Sequence, residues 1–473
     1  MKNLVSCLFL SLSLIFLVSG CNSTPETPTR SSKKWKMDLP DSLKLKLPIR
    51  VLVSYNRTNF FTVKGATRGL EHDLMQAYKK YLSKKSKNEH VRMVFIALPF
   101  EELIPALLEG RGDIIAAGLT VTPNRKKKVD FASPYMEGGA EIVVGSRKAK
   151  PISKLTDLAG KTVYVMAGSS YKTRLESLNS GFKKKGLAPV DIVEADKHLV
   201  TEDLLEMAER SMIEYAVADS HVAELWKKPL PDIRLYRDAP LHGGREIAWA
   251  IRPSSKVLQK SLSEFAATVR QGTLLGNMVF KRYFVNTRWV KSPSMVIGWK
   301  EMQPITNVFK KYGKKYNFDW LKLMAIAYQE SGLNMNKSSH KGAVGIMQIK
   351  PSTAADKNVD VKNINTLDGN VHAGVKYLRF LRDRYFKDVA KDAQVDFALA
   401  AYNAGPNRII KLRKQAKEMG LDPNQWFGNV EYAAYKDIGS ETPTYVANIQ
   451  MNYAFYKSAA KVLVKRIEVK NDN

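Results

Sequence analysis

Cysteine is the first scarcity of this 473-residue chain, which has only Cys7 and Cys21. Everything beyond residue 21 is without a thiol. That excludes a disulfide framework, a cysteine zinc site and a cysteine nucleophile from the body of the protein, which its cores alone must hold. Acidic residues are also in deficit: 46 Asp and Glu against 75 Lys and Arg leave a formal net charge of +29. Such a balance calls for an anionic partner, or keeps the protein soluble by repulsion. Nucleic acid, anionic lipid and an acidic wall polymer would all serve. The basic residues are dispersed, however, in short runs such as Lys126-Lys127-Lys128 and Lys183-Lys184-Lys185. Each run reads as a solvated face. No arginine-rich arm, zinc-finger spacing or RNA-binding aromatic signature accompanies them, so nucleic acid is not expected as a partner. The seven His are scattered without metal-ligand spacing, and no metal or other cofactor is expected.

Long apolar runs are missing too, with one exception. Lys2 gives a basic start and Leu4 to Val18 is apolar, too short and too near the terminus for an ordinary membrane-spanning helix. The run ends in Val18-Ser19-Gly20-Cys21, which resembles a bacterial lipobox. The resemblance implies that residues 1–20 are a lipoprotein signal peptide and that Cys21 becomes the lipidated first residue. An uncleaved anchor and a cleaved signal with an incidental cysteine are the competing readings. Asn22 rather than Asp implies sorting to the outer membrane, with the protein on its periplasmic face. Residues 21–45, rich at first in Ser, Thr, Pro and Lys, read as a tether.

The length exceeds one ordinary core, so several domains are expected. Between residues 46 and 290 strands alternate with helices. Ile49 to Val53, Val91 to Ala97, Ile114 to Ala117, Thr162 to Val165 and Ala216 to Ala218 read as strands, and Leu70 to Leu82 as an amphipathic helix. Gly138-Gly139 and Gly243-Gly244 each precede an apolar strand pattern. A lone pair of this kind is more often a turn. Two of them, bordering one α/β block, fit a chain that crosses to a second lobe and returns, with a ligand cleft between. From 291 to 473 strand patterns nearly vanish, and helical runs such as Trp320 to Ser331 and Tyr445 to Val464 mark an all-α domain.

One passage of the first domain is long and ordered: Leu107-Leu108-Glu109-Gly110-Arg111-Gly112-Asp113, then Gly118-Leu119-Thr120-Val121-Thr122-Pro123-Asn124-Arg125, then Val129-Asp130-Phe131. With Gly69-Leu70-Glu71-His72-Asp73-Leu74 upstream, it resembles the family-3 periplasmic solute-binding proteins, which bind polar amino acids. The resemblance implies a two-lobed α/β fold and a ligand site for an amino acid; placed ahead of the helical domain, that site is expected to be regulatory, and a muropeptide would offer the same carboxylate. Arg125 would hold an α-carboxylate through paired charge-assisted hydrogen bonds, and Thr120 would add a polar contact. Ser169, before a helix, would offer its N-terminus, and Asp219 would pair the α-ammonium. Read from the residues alone, Arg125 is also a surface charge in a basic run, and Asp219 also a helix N-cap.

In the helical domain Glu330 lies on the apolar face set by Leu323, Ile326 and Ala327, near a helix end closed by Gly332. Burial and the helix dipole both disfavour its charge and predict a raised pKa, suited to a general acid. A Glu at a frayed, wet helix end has the same sequence. Gly342-Ala343-Val344-Gly345-Ile346-Met347-Gln348, Ala401-Tyr402-Asn403 and Tyr445-Val446 then follow in order. Together with Glu330-Ser331 they resemble the motifs of family-1 lytic transglycosylases, departing only in Ile346 for Leu. The resemblance implies a goose-lysozyme-like fold, Glu330 as sole acid/base, and Ser331, Met347, Gln348, Tyr402, Asn403 and Tyr445 along a groove for peptidoglycan glycan strands. Met347 is nearly as readily a core side chain. The rival functions are a solute-binding receptor whose helical domain only holds the wall, and a hydrolytic muramidase. Against the second stands the want of an evident second carboxylate.

Overall fold

A computed structural model describes residues 36–45, 47–63, 66–86, 91–270, 272–285, 303–439 and 441–471. The signal segment, Cys21 and most of the tether lie outside the described residues, as does the stretch 286–302 that holds the expected domain boundary.

The first lobe is built on β1 (Ile49–Val53), whose five residues are all buried. Helix α1 (Leu70–Ser86) covers it with Leu70, Leu74, Tyr78 and Leu82, which recur at every fourth position. Strands β2 (Met93–Ala97) and β3 (Ile114–Ile115) flank β1 in parallel. The returning strand Ala250–Ile251 lies antiparallel between β3 and β4 (Asp130–Phe131). The Glu-Gly-Arg-Gly-Asp passage enters this sheet. A Cβ on Gly112 would stand 2.3 Å from Leu52 Cγ, so glycine is required. Asp113 takes Arg50 at 2.7 and 3.0 Å and Arg252 at 3.0 Å, neutralising a buried carboxylate with two buried guanidiniums.

The second lobe orders β7 (Asp191–Glu194), β6 (Thr162–Val165), β8 (Tyr215–Asp219), β5 (Ala140–Gly145) and β9 (Arg234–Tyr236) across one sheet. Its helices include α2 (Ser170–Lys184), α3 (Thr201–Glu209) and α4 (Ser220–Lys227). The two crossings between lobes run side by side: Met136–Glu137 pairs antiparallel with Glu246–Ile247. Gly138, Gly139 and Gly244 there have φ of +81°, +76° and +66°, and Gly244 N donates to Gly139 O at 3.1 Å. The paired Gly-Gly segments thus lie side by side where the chain crosses between the lobes.

The helices of the helical domain include α5 (Gln303–Tyr316), α6 (Trp320–Ser331), α7 (Leu367–Tyr385), α8 (Lys391–Ala404), α9 (Pro406–Glu418), α10 (Glu431–Asp437) and α11 (Glu441–Asn471). Its core is not separate. One apolar cluster runs from Leu204, Leu205 and Trp226 of the second lobe into Leu323, Met324 and Ile326 of α6 and Val446 and Phe455 of α11. Among the described residues no helix is long and apolar enough to cross a membrane.

Candidate active site and ligand cleft

Helix α6 positions Glu330. Asp319 caps its start, accepting from Leu321 N at 2.9 Å, and Gly332 ends it in the left-handed region at φ +70°. Leu323, Met324, Ile326 and Ala327 are fully buried, which fixes the helix's rotation and brings Glu330 to the inner edge of the bundle. Burial pushes the Glu330 carboxyl up to about 7, against the opposing pull of a Tyr445 hydrogen bond and of Lys337. Tyr445 Oη donates to Glu330 Oε1 at 2.6 Å. Lys337 Nζ donates to the Glu330 carbonyl at 2.5 Å. Among the described residues, no second carboxylate bears on Glu330's ionisation. Glu330 is therefore protonated in a large fraction of molecules at neutral pH and able to give a proton, and close enough to ionisation to take one back.

A loop wraps the end of α6. Val344 and Ile349 exchange backbone hydrogen bonds at 3.0 and 3.1 Å, forcing Gly345 to Gln348 into a tight turn. Gly345 has φ +79°, and a Cβ there would lie 2.1 Å from Asn370 Nδ2. Asn370, fully buried on α7, holds this turn by accepting from Met347 N at 2.9 Å and donating to Val344 O and Ile364 O. Sequence reasoning passed over Asn370; an Asn among the apolar positions of α7 was the available signal.

The motif residues take unequal places. Tyr445 touches Glu330 directly. Tyr402 donates to Met347 O at 2.8 Å and its ring lies 5.5 Å from Tyr377. Asn403 is exposed and accepts from Thr442 Oγ1 at 2.7 Å, tying α8 to α11. Gln348, half-buried at φ +47°, donates to Lys337 O and Gly345 O. Ser331 is committed to backbone: it donates to Ile346 O at 2.8 Å and accepts from Asn334 N at 3.0 Å, bracing the loop against α6. Met347 is fully buried against Gly374, as a core side chain would be.

The second constellation lies between the lobes. Thr120, Arg125, Ser169 and Asp219 line one cleft with Ser54, Asn56, Phe100, Tyr171 and Glu202, around a cavity of ≈ 50 Å³. Arg125 is 9% exposed, not a surface charge. Its guanidinium bridges the lobes, donating to Thr120 O at 2.7 Å and Gly168 O at 3.1 Å, and burial lowers its pKa to about 10. Ser169 donates to Met166 O at 2.6 Å and stands at the N-terminus of α2. Asp219 occupies the N-cap position of α4 without a side-chain capping bond and pairs instead with Arg245 Nη1 at 2.5 Å. Arg245 and Glu141, both buried, were missed in the sequence, since a charged residue after Gly-Gly or inside a strand gives no cleft signal by itself. Glu71 from the upstream motif organises the floor, accepting from Gly118 N, Tyr135 Oη and Trp249 Nε1 at 2.7, 2.6 and 2.9 Å.

Comparison with known proteins follows the same division. Residues 48–327, more than half of the chain, match the bacterial extracellular solute-binding proteins, family 3. The chain belongs to this family. Unlike a solute-binding domain alone, this family-3 solute-binding protein carries a second match, to the transglycosylase SLT domain, over residues 307–424. Similar relatives over nearly the whole length are proteins named membrane-bound lytic murein transglycosylase F. One from Desulfosudis oleivorans is 28% identical, covering 88% of this chain and 91% of its own. One from Shewanella sediminis is 28% identical, covering 88% and 82%. Among solved structures, an ancestral arginine-binding protein bound to arginine aligns at 24% identity and a TM-score of 0.42, over 50% of this chain and 98% of its own.

Proposed function

We propose that Glu330 cleaves the β-1,4 bond between N-acetylmuramic acid and N-acetylglucosamine without water. The enzyme is a peptidoglycan lytic transglycosylase with a solute-binding domain in its N-terminal part. The observation that carries the catalytic assignment is a half-buried carboxyl of pKa about 7, held by one phenol and with no second carboxylate bearing on it among the described residues. Glu330 protonates the leaving oxygen while the acetamido group of the muramyl sugar supports the positive charge developing at C1. The carboxylate then takes the proton from the C6 hydroxyl, which closes on C1 to give a 1,6-anhydro end. Tyr445 fixes the carboxyl, and Tyr402, Gln348 and Asn403 line the groove. In the cleft, Arg125 and Thr120 hold the carboxylate of an amino acid or muropeptide stem, with Ser169 and Asp219 opposite. Ligand binding there regulates the helical domain, and lipid on Cys21 anchors the protein to the periplasmic face of the outer membrane, where its positive charge suits an acidic wall.

The test is digestion of purified sacculi with the soluble mature chain and with Glu330→Gln, followed by mass spectrometry of the sugar ends. The expected result is anhydro ends from the wild type and none from the variant. Cleavage that survives in Glu330→Gln would remove Glu330 from the mechanism. No cleavage by either protein would favour the receptor reading.

A further inference from the structure

We propose that Tyr55, a residue of the solute-binding domain, is a positioning residue for the catalytic acid, acting through the first turn of α11. The inference rests on the transglycosylase reading of Glu330. The loop after β1, from Ser54 to Asn59, divides its attachments. Ser54, Asn56 and Asn59 line the ligand cleft. Tyr55 reaches the other way: its Oη lies 2.6 Å from Tyr435 Oη on α10 and 3.1 Å from Thr444 Oγ1 on α11. Arg57 binds Asp203 at 2.5 Å and Glu206 at 3.1 Å on α3, and Thr58 donates to Glu202 at 2.7 Å. Glu202 itself faces the cleft. One short loop therefore joins the ligand cavity, the second lobe and the helical domain.

Across the contact, the first turn of α11 is tied at three points. Thr442 donates to Asn403 at 2.7 Å, Thr444 meets Tyr55, and Tyr445 donates to Glu330 at 2.6 Å. Thr444 and Tyr445 are consecutive on one helical turn, so their side chains cannot move independently of its rotation. A rotation that lengthens the Tyr55–Thr444 contact draws the Tyr445 phenol off Glu330. Tyr55 is a firm point to push against, since its ring packs 5.5 Å from that of Phe60. Arg57 adds a second hold near the same helices. Its guanidinium lies 5.2 Å over the Trp226 ring and is felt electrostatically by Tyr328, two residues before Glu330. Whatever occupies the cleft touches the chain neighbours of Tyr55, and so bears on the acid.

The experiment compares the mature wild type, Tyr55→Phe, Thr444→Val and the double variant on sacculi from about pH 5 to 9. Tyr55→Phe keeps the ring and removes only the hydroxyl. Thr444→Val opens the same contact from the catalytic side, so one variant that folds poorly does not decide the matter. The expected result for each single variant is turnover about fivefold lower at the optimum and a basic limb about half a unit higher, because Glu330 loses part of the hydrogen bond that favours its charged form. The double variant should be no worse than either single one. Wild-type profiles, a fall in activity with the limb unmoved, or additive losses would overturn the positioning role. A wild type that makes no anhydro ends would overturn the reading beneath it instead.

Discussion

At the residue scale the proposed mechanism turns on one proton. Glu330 must hold it to act as acid, and burial keeps it there up to about pH 7. The only hydrogen bond to its carboxylate that bears on this balance among the described residues is from Tyr445, which favours ionisation. Tyr445→Phe should therefore raise the basic limb of turnover by up to about one unit. It should also lower turnover about tenfold, because the carboxylate that takes the C6 proton is less well held. A pH–rate profile on sacculi checks both, and an unmoved or lowered limb would contradict them. The position of Glu330 was legible in the sequence because a helix's apolar spacing fixes which face a carboxyl shares. The pairing of Asp219 with Arg245 was not legible, because 26 residues separate them and only the return of the chain through the hinge brings them together.

At the element scale the turn from Gly345 to Gln348 is the exacting part. It needs a positive φ at Gly345 and the backbone room that Asn370 fills. Gly345→Ala should cost ~2–4 kcal/mol, from a strained backbone together with displacement of Asn370 and its three hydrogen bonds. Denaturant unfolding measures that loss, and a midpoint equal to wild type would show that the turn relaxes freely. Element boundaries were read less well than element types. The pattern suggests a helix from Val371, but α7 begins at Leu367, because Thr366 caps it by accepting from Gly369 N at 3.1 Å. Likewise α11 begins at Glu441, a turn before the apolar pattern starts at Tyr445. Those extra residues are Glu441, Thr442, Pro443 and Thr444, and the two threonines carry the ties to Asn403 and Tyr55. Caps and polar first turns are fixed by single side-chain hydrogen bonds, which periodicity does not register.

At the scale of the whole molecule, two domains recognisable separately in the sequence share a core and titratable groups at their contact. Arg111, within the solute-binding motif, lies against Gly428 of the helical domain. Glu431 beside it is fully buried, with Oε1 lacking a hydrogen-bond partner among the described residues. Burial raises the Glu431 pKa from 4.5 to about 8. A raised carboxylate binds its proton more tightly folded than unfolded, so its contribution is fully present below 4.5 and is lost as pH rises towards 8. Glu431→Gln keeps an acceptor for Gly428 N and cannot ionise. Its stability relative to wild type should therefore rise across that window, by up to roughly 1.4 kcal/mol per unit. Parallel unfolding curves at acid and mildly alkaline pH test this; a constant difference would mean that Glu431 is not held neutral. None of this was legible beforehand, since apolar patterning reveals each domain's own core but not which charges meet between them.

In the proposed mechanism the glycan strand is cut by its own C6 hydroxyl, with Glu330 as the only carboxyl involved. Digestion of sacculi in water enriched in heavy oxygen tests it most directly. The expected products are anhydro ends that carry no heavy oxygen at C1 from the first time point. Reducing ends labelled at C1 would contradict it, and would mean that water attacks with the help of a group not yet identified.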